Sequence, residues 1–154
     1  MSVLAHQSTA ARLLSLIETA KRRLEHIPLS VPQLLARLAL AGVFFRSGQT
    51  KIANWDLTVQ LFQNEYNLPI LPPEIAALMG ASFELGCSIL LVLGLATRLA
   101  TLPLLGMTAV IEILVYPQNW PEHLTWASLL IFLLLRGPGT YSLDRAIGKA
   151  LGRR

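Results

Sequence analysis

The sequence predicts an all-α integral membrane protein, a four-helix bundle with interfacial amphipathic helices at its N- and C-terminal ends. Three observations carry this. Of the 154 residues, 53% are hydrophobic and 14% are charged, whereas a soluble domain carries about 25% charged residues; the charges are too few to coat a water-soluble globule. The length admits one domain and four spans of about 20 residues each. Nine of the 13 Lys and Arg residues lie before residue 31 or after residue 135, as in cytoplasmic tails around membrane spans.

The net charge of +4 therefore belongs to the tails and not to a nucleic-acid-binding face. A single cysteine, Cys87, excludes an intramolecular disulfide, a CxxC redox pair and a cysteine-rich metal site. No apolar signal-peptide core occurs in the first 30 residues, so insertion is expected to rely on the spans themselves.

Residues 1–30 form a cytoplasmic segment. Leu13, Leu16, Ile17, Ala20, Leu24 and Ile27 recur at helical spacing, with Arg12, Lys21, Arg22 and Arg23 on other faces, which reads as an amphipathic helix on an anionic inner surface. The membrane domain covers 31–136, with spans at about 31–50, 75–95, 99–116 and 122–136. In the connection between the first two spans, Trp55, Thr58, Val59, Phe62 and Tyr66 share one helical face. Packing explains this stripe more economically than ligand binding. Residues 137–154 are a basic cytoplasmic tail whose short helix opens at Ser142 as N-cap, with Asp144 in its first turn and Leu143, Ile147, Ala150 and Leu151 on its apolar face. The connections at 49–73 and 117–122 are poor in Lys and Arg, which places both termini in the cytoplasm.

A charge inside an apolar span costs about 2.5 to 3.5 kcal/mol at its centre, so each asks for a partner or a role. Arg37, Arg46, Glu84 and Glu112 lie within spans, and Lys51 and His123 near their ends. Arg37 and Arg46 are nine residues apart on opposite faces of the first span; one can face the bundle while the other snorkels. Arg98 is a structural charge in the turn before the third span. Thr108, Glu112 and Tyr116 form a polar stripe at i, i+4, i+8.

Glu84 is either a proton-carrying or ligand-orienting carboxylate, with Lys51, Arg46 or His123 as partner, or a structural ion pair or neutral buried carboxyl. His123 is a ligand or proton shuttle, or an anchor of the aromatic belt beside Trp120 and Trp126. Cys87 is a small packing residue or a reactive thiol. Haem is not expected, because His6 and His26 lie in the cytoplasmic segment, and no metal site is expected. No phosphate loop, dinucleotide fingerprint, nucleophile elbow or zinc-protease pair occurs. The polar groups converge on the outer half, which predicts a pocket bounded by Lys51, Trp55, Glu84, Glu112, His123 and Trp126, suited to an amphipathic ligand such as a quinone.

The tract ELGCSILLVLGLATRLA, with Arg37-Leu38, Gly48, Lys51, Trp120, His123-Leu124, Trp126, Gly137-Pro138-Gly139 and Ser142-Leu143-Asp144, resembles the DoxX family of small four-span membrane proteins over residues 35–148. Within it, the chain looks like the subset encoded beside copper-responsive operons for modified-cysteine peptides. The resemblance implies a multi-pass protein of the bacterial inner membrane, distantly related to the small subunit of archaeal thiosulfate:quinone oxidoreductase. It points to a quinone-contacting membrane subunit of a redox or of an oxidative, thiol or metal-stress system, with the lipid bilayer, a redox or stress-protein partner and a second copy as partners. A non-enzymatic scaffold or stress-protection partner and a small-molecule or peptide carrier stay open, and membership alone does not establish an enzyme.

Overall fold

The computed structural model describes the backbone of residues 2–152 and the side chains of residues 12–152. Among these the chain is all helical: α1 (Ser2–Glu25), α2 (Ser30–Ala53), α3 (Trp55–Leu61), α4 (Pro73–Leu93), α5 (Thr97–Val110), α6 (Trp120–Arg136) and α7 (Leu143–Ala150). The expected basic ends Arg153 and Arg154 lie outside the described residues.

Local chemistry sets the boundaries. Pro73 opens α4, where a missing N–H costs nothing. Gly94 closes it with φ 65°, a left-handed conformation that glycine adopts without strain. Pro121 opens α6 in the same way. Ser142 accepts a hydrogen bond from the Arg145 N–H at 3.3 Å and starts α7. Two π-helical turns, Phe62–Tyr66 after α3 and Ile111–Val115 after α5, lie at the same end of the molecule and touch each other.

Helices α2, α4, α5 and α6 surround one core, built from Leu40 and Phe44, Leu91, Leu104, and Leu130 and Leu133, all 2% exposed or less. Outside this core Leu35, Leu78, Leu99, Leu102, Ile113 and Leu135 are half or more exposed, a surface that suits hydrocarbon and not water. Helices α4 (Pro73–Leu93) and α5 with its π turn (Thr97–Val115) are long and apolar enough to cross a membrane, with mean hydropathy of 2.0 and 1.7. The pair Arg12–Glu25 and Ser30–Ala53, bent by 68°, makes a third candidate if taken as one span. Helix α6 has 17 residues, and α2 carries Arg37, Arg46 and Lys51.

The described part of α1 is exposed throughout, including Leu13, Leu16, Ile17 and Leu24. The stripe after α2 divides: Thr58 and Phe62 are buried, and Val59 and Tyr66 pack with Phe62 and Ala77.

At the end of the core where α2 begins and α6 ends, residues 136–144 fold back over the helices. Gln33 donates to the carbonyls of Arg136 (3.1 Å) and Gly137 (3.0 Å), and Ser30 bonds to Thr140. Asp144 accepts from the N–H groups of Ala96 (2.8 Å) and Thr97 (3.1 Å), satisfying the first donors of α5. Arg37, for which snorkelling was the alternative, is instead 1% exposed and turned inward. Its guanidinium donates to the carbonyls of Leu91 (2.8 Å), Val92 (3.0 Å), Pro138 (2.9 Å) and Tyr141 (2.7 Å). It caps α4 and clamps the 137–141 segment at once, a use for which the five-donor fork of arginine is suited.

Candidate functional site

The opposite end of the bundle holds the polar cluster. Lys51, in the last turn of α2, reaches Glu84 in the middle of α4 with Nζ 2.8 Å from Oε1; the two side chains are 11% and 3% exposed. Ser47, one turn before Lys51, donates to the same oxygen at 3.0 Å, and Lys51 also donates to the Ser47 hydroxyl at 2.9 Å. Close approach of the helices makes this contact possible. A Cβ on Gly48 would lie 2.7 Å from Leu85 Cγ and 3.1 Å from the Glu84 Cβ, so glycine lets α2 and α4 meet here. The other carboxylate oxygen, Glu84 Oε2, is buried with no hydrogen-bond partner among the described residues.

His123, in the first turns of α6, is 4% exposed, and its Nδ1 lies 2.6 Å from Glu112 Oε2. Glu112 sits in the π turn after α5, one of the segments where such turns reposition side chains. This contact occupies Nδ1 and leaves Nε2 for other contacts. The His123 ring stands 5.3 Å from that of Trp126, which in turn packs edge-on to Phe44 at 5.5 Å.

The third side comes from the chain between α3 and α4. Tyr66 stacks on Phe62 at 4.4 Å and meets Tyr116 edge-on at 6.5 Å. Burial, with the Glu84 charge adding to it, pushes the Tyr66 phenol up to about 12. The Tyr116 hydroxyl donates to Glu65.

These groups line two adjoining open cavities. The first, about 190 Å³, is bordered by Ser47, Lys51, Glu84, Tyr116, His123 and Trp126. The second, about 310 Å³, is apolar, with Phe62, Leu68, Met79, Phe83, Met107 and Val110 on its walls. Lys51, Tyr66, Glu84 and Ile111 belong to both. Gly80 keeps the apolar cavity's wall thin: a Cβ there would stand 3.2 Å from the Phe62 ring.

Of the six residues expected to bound one pocket, four do so: Lys51, Glu84, His123 and Trp126. Glu112 lies behind His123 and borders a separate surface groove with it. Trp55 lines neither cavity; as the first residue of α3 it is 37% exposed, and the residues turned inward are Thr58 of α3 and Phe62 of the π turn that follows. Arg46, offered as a partner for Glu84, is exposed and makes no ion pair or hydrogen bond among the described residues. Arg98 is exposed and donates to the Leu135 carbonyl at 3.4 Å. Cys87 is buried in the core. Ser47 was missed by the sequence reading, although its place one turn before Lys51 on an apolar helix was a usable signal. No cluster of metal-ligating residues occurs among the described residues.

Comparisons with known proteins show the family. The DoxX family model matches residues 33–117, which include α4, α5 and most of α2 and so the Lys51–Glu84 pair. The inner membrane protein YphA of Escherichia coli (strain K12) is 33% identical over 126 residues, covering 73% of this chain and 87% of that protein. No solved structure matches. With more than half of its length matched by the family model and a relative that similar along most of it, this chain is a membrane protein of the DoxX family.

Proposed function

We propose that the chain is a multi-pass protein of the bacterial inner membrane that binds the head of a lipid quinone, as a membrane subunit of a redox or stress-protection system. In this reading α2, α4, α5 and α6 all cross the bilayer and both termini are cytoplasmic. The basic tails support that orientation, and the exposed leucines around the core support the four spans. Helices α1 and α7 then lie at the inner interface, each with an apolar face toward lipid.

The observation that carries the proposal is the junction of the two cavities at Lys51, Tyr66 and Glu84. A quinone has a polar head and a long apolar tail, and here a small polar chamber adjoins a larger apolar one within the range of about 300 to 1,000 Å³ usual for small-molecule sites. Glu84 Oε2, buried and unpartnered, supports a polar ligand atom beside it. The chain's own part in this is to bind and orient the head through Lys51, Glu84 and His123.

Titration with a short-chain quinone, followed by tryptophan fluorescence in detergent, tests the reading. The wild type is expected to quench saturably. Trp126→Phe should lose most of that signal, because Trp126 borders the polar chamber while Trp55 and Trp120 are exposed. Absence of saturable quenching in the wild type would instead favour a scaffold in which Lys51 and Glu84 simply lock two helices.

A further inference from the structure

We infer that the site selects the reduced, hydroxyl-bearing head of a lipid quinone, a hydroquinone, over the oxidised quinone; this rests on the reading above. The argument lies in which polar atoms are already spent. Oε1 of Glu84 is taken by Lys51 and Ser47, and Nδ1 of His123 by Glu112. What is left over in the buried part of the chamber is Oε2 of Glu84, without a partner; the exposed Asn119 and Glu122 border its rim. An ionised carboxylate oxygen accepts only. Glu84 and His123 border the same chamber.

A quinone carbonyl is also an acceptor. Set beside Glu84 it places lone pair against lone pair, although the third Lys51 proton can reach it. A hydroxyl serves both groups, donating to the carboxylate while accepting from the ammonium. The Tyr66 phenol is neutral through the physiological range, and its hydroxyl turns to donate or accept, so it does not discriminate between the two ligands. The Tyr116 hydroxyl is already committed to Glu65.

The test is anaerobic calorimetric titration of the detergent-solubilised wild type with decylhydroquinone, decylbenzoquinone and the di-O-methyl ether of the hydroquinone. The ether keeps the ring and tail but has no proton to give. Hydroquinone is expected to bind about tenfold more tightly than either of the others, the size of one hydrogen bond to a charged group. In Glu84→Gln, whose amide can donate, the preference should fall to about parity. Equal affinity for all three ligands in the wild type would overturn the preference and leave a quinone site standing. No binding of any of the three would overturn the site itself.

Discussion

Arg37 on α2 and Gly94 at the end of α4 interlock: a Cβ on Gly94 would lie 2.7 Å from Nη1 of Arg37 and 2.5 Å from the Ser142 Cβ. The guanidinium occupies the space that the absent side chain leaves, and from there reaches four carbonyls on two segments. A charge that would be costly in a span thereby becomes the element that closes one end of the bundle.

Arg37→Met should lower stability by roughly 3 kcal/mol or more, because each buried carbonyl left without a donor costs about 1 to 3 kcal/mol. Arg37→Lys should rescue little, since an ammonium has three donors on one point and not a fork. Gly94→Ala should be comparably destabilising, being strained by φ 65° as well as by the contact. Thermal unfolding in detergent reads all three, and a wild-type midpoint for Arg37→Lys would refute the clamp.

At the other end, breaking the Lys51–Glu84 pair from one side should cost more than removing it whole. Lys51→Met or Glu84→Leu alone leaves a buried charge uncompensated, about 3 kcal/mol or more. The double variant should recover a large part of that loss. Glu112→Gln should be milder than Glu84→Leu, as the Glu112 side chain is 33% exposed against 3% for Glu84. A double variant less stable than both singles would overturn this account.

Alkaline pH should weaken the fold through Tyr66. Its phenol ionises near 10 in an unfolded chain and at about 12 in the folded one, so folding favours the neutral form. The associated stability is complete below pH of about 10 and is lost as pH rises toward about 12. Tyr66→Phe should therefore lose less stability than the wild type across that window. Tyrosinate absorbance should show a late-ionising group that this substitution removes; an unchanged titration curve would assign it elsewhere.

Much of this was legible in the sequence where a physical cost forced the answer. Charges inside apolar spans demand partners, and that alone led to Glu84 with Lys51 among its candidates. Helical spacing was legible too, as in Thr58, Phe62 and Tyr66 on one face. What spacing does not fix is how far a face extends around a helix start, and so Trp55 was placed at a pocket it does not line. Arg37 stayed ambiguous because its partners at Pro138 and Tyr141 are about a hundred residues away, and no local pattern announces such a contact. The unpartnered oxygen of Glu84 was equally invisible, since it depends on which lone pairs Ser47 and Lys51 happen to fill.

Orientation is open to a direct experiment. Cysteines at Gln63 and Gln118, both exposed, in a Cys87→Ser background should react with an impermeant maleimide in intact spheroplasts. One at Gly152 should react only after lysis. The reverse pattern would invert the proposed topology.

The clamp around Arg37 also sets an order of events during biosynthesis. Arg37 belongs to the first helix of the core, while two of its four acceptors, Pro138 and Tyr141, follow it about a hundred residues later in the chain. Asp144, which satisfies the start of α5, comes later still. Until that segment emerges, the nascent bundle holds an arginine and a helix start that lack their final partners. The segment 137–144 thus decides when both Arg37 and the start of α5 are satisfied, although neither can be paired by its own sequence neighbours.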